Sequence, residues 1–85
     1  MRLDRYLFFI RLVKSRTLAQ ALIDEGNVRV DGKRVAKTSE EVRVGSVVAL
    51  ALHGKVRVLR VLALPNRRGP AAEARACFAE LEESG

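Results

Sequence analysis

The 85-residue chain has one cysteine, one histidine, one tyrosine, two prolines and no tryptophan. Each scarcity closes a class of function. Lone Cys77 leaves no internal disulfide and has no ligand-spaced histidine or second cysteine, so it reads as small apolar filler in an alanine-rich helical pattern. His53 stands beside a turn glycine without a serine, cysteine or carboxylate at a telling interval, and reads as a loop histidine rather than a general base. Gly26, Gly32, Gly45, Gly54 and Gly69 stand singly at turn positions, so no glycine run cradles a phosphate. The longest apolar run, VVALAL, has six residues, against the ~18 a membrane span needs. YLFFI is too short for a signal-peptide core and runs at once into Arg11 and Lys14. The expectation is one small cytoplasmic domain without membrane contact. Its core leaves little room for an enclosed active site, and no enzyme, metal or cofactor is expected.

What the chain does have is positive charge. The net charge is +6 and the isoelectric point near 10.5. Residues 1–70 carry 15 lysines and arginines against 6 acids, whereas residues 71–85 set Arg75 against Glu73, Glu80, Glu82 and Glu83. A basic body with an acidic tail attracts polyanions, nucleic acid first among them.

The apolar spacing of Leu3, Tyr6, Leu7, Ile10 and Val13 predicts a first helix over 3–13, with Phe8 and Leu12 making it apolar nearly all round. Ser15 or Thr17 can cap a second helix of about ten residues, Thr17 with Gln20 matching a reciprocal capping pair, and Gly26 stopping it. Leu18, Leu22 and Ile23, with Ala19 and Ala21, form its predicted buried stripe. The period then drops to two. Val28 and Val30 alternate with Arg29, and Asp31-Gly32 suits a two-residue hairpin turn before Val35. VRVGSVVALAL and KVRVLRVLAL predict two further strands joined by His53-Gly54, with a bulge or two-faced burial near Arg60 and Val61. PNRRGP reads as a loop, and AAEARACFAELEE as a final helix with Pro70 in its first turn.

Three basic clusters then fall close together. Arg2 and Arg5 begin the first helix; Lys14 and Arg16 begin the second, with Arg11 just before them. Arg29, Lys33, Arg34 and Lys37 lie on or beside the hairpin. The start of the second helix adds unpaired N–H groups, a positive dipole end, the Ser15 and Thr17 hydroxyls and nearby Gln20, a setting for a phosphate oxygen. Asn27 adds a neutral donor and acceptor beside Arg29. By contrast, Asp24-Glu25 and Glu40-Glu41 are adjacent acids of the kind that mark solvated faces.

These residues carry a resemblance. RLDRYL, then VKSRTLAQALIDEGNVRVDGKRV, then VRVGSVVAL, are similar to the S-four-type RNA-binding domain over about residues 2–52. The resemblance implies an α+β fold of the alpha-L type, with two N-terminal helices packed on a small antiparallel sheet and a short C-terminal helix. It implies structured RNA bound across both helix starts and the hairpin, the face where the charges collect. The continuation KVRVLRVLALPNRRGPAAEARACFAEL resembles free-standing members of the ribosome-associated fifteen-kilodalton heat-shock family. That likeness implies a domain over 1–64 followed by a loop and acidic helix over 65–85. It also implies binding to ribosomal RNA, or tRNA, on large ribosomal subunits during heat shock or stalling, and the chain is expected to be a monomer. An accessory module beside an RNA-modifying enzyme, and a DNA-binding protein, are the alternatives. The hairpin argues against the second, because its basic residues favour a composite surface over one groove-reading helix.

Overall fold

Both N-terminal helices end in the same way, with one difference. In the computed structural model, which describes residues 1–81, α1 spans Leu3–Phe9 and α2 spans Arg16–Asp24. After α1 the N–H groups of Arg11 and Leu12 donate to the carbonyls of Phe8 and Leu7 at 3.1 and 3.2 Å. After α2 those of Gly26 and Asn27 donate to Ile23 and Leu22 at 3.0 and 2.9 Å. Both are Schellman closures, which need a left-handed residue. Gly26 supplies it in α2 at φ 78°, but in α1 the position is held by Arg11 at φ 65°. A side chain there costs about 1–2 kcal/mol. This turn ends α1 before the predicted Val13; Ile10 and Val13 are still buried, but from the turn.

At the start of α2, Ser15 is extended and its hydroxyl accepts from the Leu18 N–H at 3.1 Å. Ser15 is therefore the cap, and the predicted Thr17–Gln20 pair does not form. Ala19 and Ile23 are buried on this helix, whereas Leu18, predicted to be buried, is 49 % exposed.

The hairpin forms as predicted. Strands β1 (Val28–Val30) and β2 (Lys33–Arg34) pair antiparallel around Asp31 at φ 50° and Gly32 at φ 83°, the two left-handed residues of a type I′ turn. β3 (Val47–Leu52) and β4 (Lys55–Val61) meet around His53 and Gly54, also both left-handed. Their register runs unbroken from Val47 opposite Arg60 to Leu52 opposite Lys55, so no bulge forms. The mixed valine parity reflects two faces: Leu59 and Val61 are buried, and Val56 lies exposed on the other side.

The predicted final helix is mostly replaced. Pro70 is the N-cap rather than a first-turn residue; α3 covers only Ala71–Arg75, and Phe78–Leu81 form β5. β5 pairs with β4 from Val61 opposite Phe78 to Val58 opposite Leu81. Alanine and glutamate favour a helix locally, but the open edge of β4 offers a ladder of backbone hydrogen bonds, and tertiary pairing overrides the local preference. Glu82 and Glu83 of the predicted helix lie outside the described residues.

The sheet order is β2-β1-β3-β4-β5, with every pair antiparallel. Leu3, Tyr6, Leu7 and Ile10, with Ala19 and Ile23 of α2, join Val28, Val48, Leu50, Leu59 and Val61 in one core. Full burial of each larger side chain contributes about 1.5–3 kcal/mol. The architecture is the expected α+β arrangement of two N-terminal helices on an antiparallel sheet. Cys77 is buried in the turn before β5, and burial followed by the Glu73 charge pushes its thiol pKa up, consistent with inert filler. Among the described residues no helix is long and apolar enough to cross a membrane.

Candidate nucleic-acid interface

The helix starts are joined by a residue whose role the charge pattern hides. Asp4, in the first turn of α1, is wholly buried. Its Oδ1 accepts from Arg2 Nε at 3.1 Å and from the Arg5 N–H at 2.8 Å; its Oδ2 accepts from Arg2 Nη2 at 3.2 Å and Gln20 Nε2 at 3.0 Å. Arg16 Nη2 stands 3.5 Å from the same oxygen. Burial alone raises the pKa of this carboxyl, but the hydrogen bonds from Gln20, Arg2 and the Arg5 N–H outweigh it, and the net shift is downward. Asp4 is thus a buried anion that draws Arg2, Arg16 and Gln20 together.

Two arginines surround one carboxylate, so the cluster remains cationic and presents partly exposed guanidinium groups. Arg16 Nε is buried with no hydrogen-bond partner among the described residues, and its guanidinium is held only by the long contact to Asp4. Beside it, the N–H groups of Arg16 and Thr17 have no acceptor among the described residues, because the Ser15 cap serves Leu18. Lys14, Thr17 and Arg5 are exposed. The arrangement offers a phosphate a helix N-terminus, hydroxyl groups and two positioned guanidinium groups within one small area.

The chain after the hairpin returns to this area. Leu3 N–H donates to the Glu40 carbonyl at 2.7 Å, and Arg2 makes an isolated antiparallel bridge with Glu41. The segment carrying exposed Lys37 is thereby tied to the start of α1. On the hairpin Arg29 and Arg34 are cross-strand partners, both exposed, and Lys33 sits beside the turn. The Arg34 guanidinium lies where a Cβ on residue 26 would project, so Gly26 is needed for its open space as well as for its φ.

Two predicted contacts point elsewhere. The Asn27 amide donates to Glu25 Oε2 at 3.3 Å. Arg11 Nε donates to the Gly69 carbonyl at 2.7 Å, toward the C-terminal loop. The sequence reading also missed Asp4 and Arg68. An acid on the apolar face of Leu3 and Leu7, flanked by Arg2 and Arg5, was a legible sign for Asp4. Arg68 gave none, because its partners are backbone carbonyls of Phe8 and Val13.

The S4 domain family matches residues 1–48, the span containing both helices, the hairpin and most of β3's approach. The chain is 34 % identical over 84 residues to a heat shock protein 15 homolog from Haemophilus influenzae, covering 99 % of this chain and 63 % of that protein. It therefore spans less than two thirds of that relative's length. It is 36 % identical over 66 residues to the RQC P-site tRNA stabilizing factor of Streptococcus pneumoniae, covering 78 % of this chain and 74 % of that protein. The trimeric structure of Vibrio cholerae heat shock protein 15 superposes with a TM-score of 0.89 at 30 % identity, over 95 % of this chain and 81 % of the other.

Proposed function

The chain belongs to the S4 domain family, and on that premise we propose that it binds structured RNA, ribosomal RNA or tRNA held on the large ribosomal subunit, in the rescue of stalled ribosomes. The observation that carries this reading is the Asp4 cluster, which fixes Arg2 and Arg16 at adjoining helix starts beside the unpaired N–H groups of α2. Charges fixed in advance lose less conformational entropy when they meet phosphates. The relatives named for heat shock and for stabilising P-site tRNA supply the setting. Arg5, Lys14, Ser15 and Thr17 extend the surface along the helix starts, and Lys37, Lys33, Arg29 and Arg34 continue it along the hairpin. Such a surface binds through phosphate contacts rather than base stacking, because among the described residues no aromatic is exposed.

Sedimentation with purified large ribosomal subunits tests the reading. The protein is expected to travel with subunits at low salt, to leave them as salt rises, and to stay at the top when Lys14→Gln and Arg16→Gln are combined. Glutamine is the right replacement, since glutamate at 16 would set a second carboxylate against Asp4. Arg75→Gln, on α3, should sediment like the parent. Recovery of folded parent protein only at the top under every salt condition would overturn the ribosome reading and favour an accessory module beside an RNA-modifying enzyme.

A further inference from the structure

The loop carrying Arg68 lies outside residues 1–48 and outside the RNA-contacting set proposed above, yet it is fastened to the turn between α1 and α2 from both sides. Arg68 Nε donates to the Phe8 carbonyl at 3.0 Å, its Nη2 stands 3.5 Å from the Val13 carbonyl, and its guanidinium lies 4.7 Å from the centroid of the Phe8 ring. In the opposite direction Arg11 Nε donates to the Gly69 carbonyl at 2.7 Å. Every acceptor is a backbone carbonyl, and Arg68 serves the C-terminal end of α1, where a cation complements the dipole.

This clasp acts where the backbone has little else to fix it. Among the described residues Val13, Lys14 and Ser15 donate no backbone hydrogen bond. Their path rests on the buried Val13 side chain, the Ser15 cap and the clasp. The left-handed Arg11 supports the same conclusion: glycine would adopt that φ without strain but would have no side chain to reach Gly69.

We propose that Arg68, together with Arg11, is a positioning residue for the RNA interface: it directs the turn so that Lys14, Ser15 and Arg16 face the bound phosphates. The consequence for binding rests on the RNA reading above; the effect on the turn does not.

The test compares Arg68→Lys and Arg68→Gln with the parent in two measurements. Hydrogen exchange and NMR shifts of the Lys14–Leu18 amides report the turn, and binding to purified large subunits at two salt concentrations reports its consequence. Lysine keeps the charge but lacks the planar fork that spans two carbonyls. Both variants are expected to exchange the Leu18 amide about tenfold faster and to bind subunits about tenfold more weakly, lysine no better than glutamine, with a shallower salt dependence. Parental affinity in Arg68→Lys alone would make Arg68 a direct charge contact and overturn the proposal, as would unchanged Lys14–Leu18 signals in both variants. If the parent itself fails to bind subunits, the RNA reading falls while exchange still decides the clasp. Should Arg68→Gln not fold, Arg11→Gly cuts the Gly69 bond while relieving backbone strain, and carries the same expectations.

Discussion

The Tyr6 hydroxyl donates to the Cys77 carbonyl at 2.9 Å, joining the first helix to the turn before the last strand across 71 positions. The Cys77 carbonyl also accepts from the Leu62 and Ala63 N–H groups at 2.8 and 3.1 Å, so it keeps partners when the hydroxyl is removed. Tyr6→Phe should therefore lower stability by only about 0.5–1.5 kcal/mol, the net worth of one hydrogen bond, without the larger penalty of an orphaned carbonyl. Urea denaturation checks this, and an unchanged slope would show that the unfolded state was not altered.

Asp4 is a more demanding site. Asp4→Ala removes the acceptor of Arg2, Gln20 and the Arg5 N–H together, and a loss of about 3 kcal/mol is expected, near the low end for a broken buried pair because both arginines are partly exposed. RNA affinity should fall with it, since Arg2 and Arg16 lose their common anchor.

The same residue sets a pH dependence. Its folded pKa lies below the ordinary 3.8, so the folded state holds its proton less tightly than the unfolded chain. The stability this contributes is complete above the ordinary value and is lost as pH falls through the folded one. The difference in denaturation midpoint between the parent and Asp4→Asn should be larger near about pH 7 than near about pH 3. A difference that grew on acidification would contradict the assignment.

At Gly26 two costs combine. Alanine there adopts an unfavourable φ and meets the Arg34 guanidinium, so Gly26→Ala should destabilise by roughly 1–2 kcal/mol and displace Arg34. Gly32→Val, where the added side chain meets open space, should cost about 1–3 kcal/mol through backbone strain alone. Thermal denaturation measures both, and NMR of the Arg34 side chain separates them, since only the first change should move it.

Much of this was legible in the sequence where a local rule determined the outcome. Asp31-Gly32 and His53-Gly54 mark tight turns because few residues accept positive φ, and Gly26 stops α2 for the same reason. The end of α1 was hidden because an arginine occupies the left-handed position, and apolar spacing alone carries the pattern past it. Phe78–Leu81 was hidden because the reason for a strand lies in the edge of β4, about twenty residues earlier in the chain. The basic residues of the proposed interface stood out by type, but the drawing together of Arg2 and Arg16 did not, since it is made by one buried acid that a count of charges treats only as a subtraction.

The placement of β5 also bears on how the chain is made. α1 is among the first segments synthesised, yet its Tyr6 acceptor and the outer neighbour of β4 come from residues 77–81. Such distant pairings close large loops, so their formation is slow relative to that of local helices. The Tyr6 bond to the Cys77 carbonyl and the cover on the outer edge of β4 can therefore form only after residues 77–81 have left the synthesising ribosome, later than the Ser15 cap and the Asp4 cluster, which lie within residues 2–20.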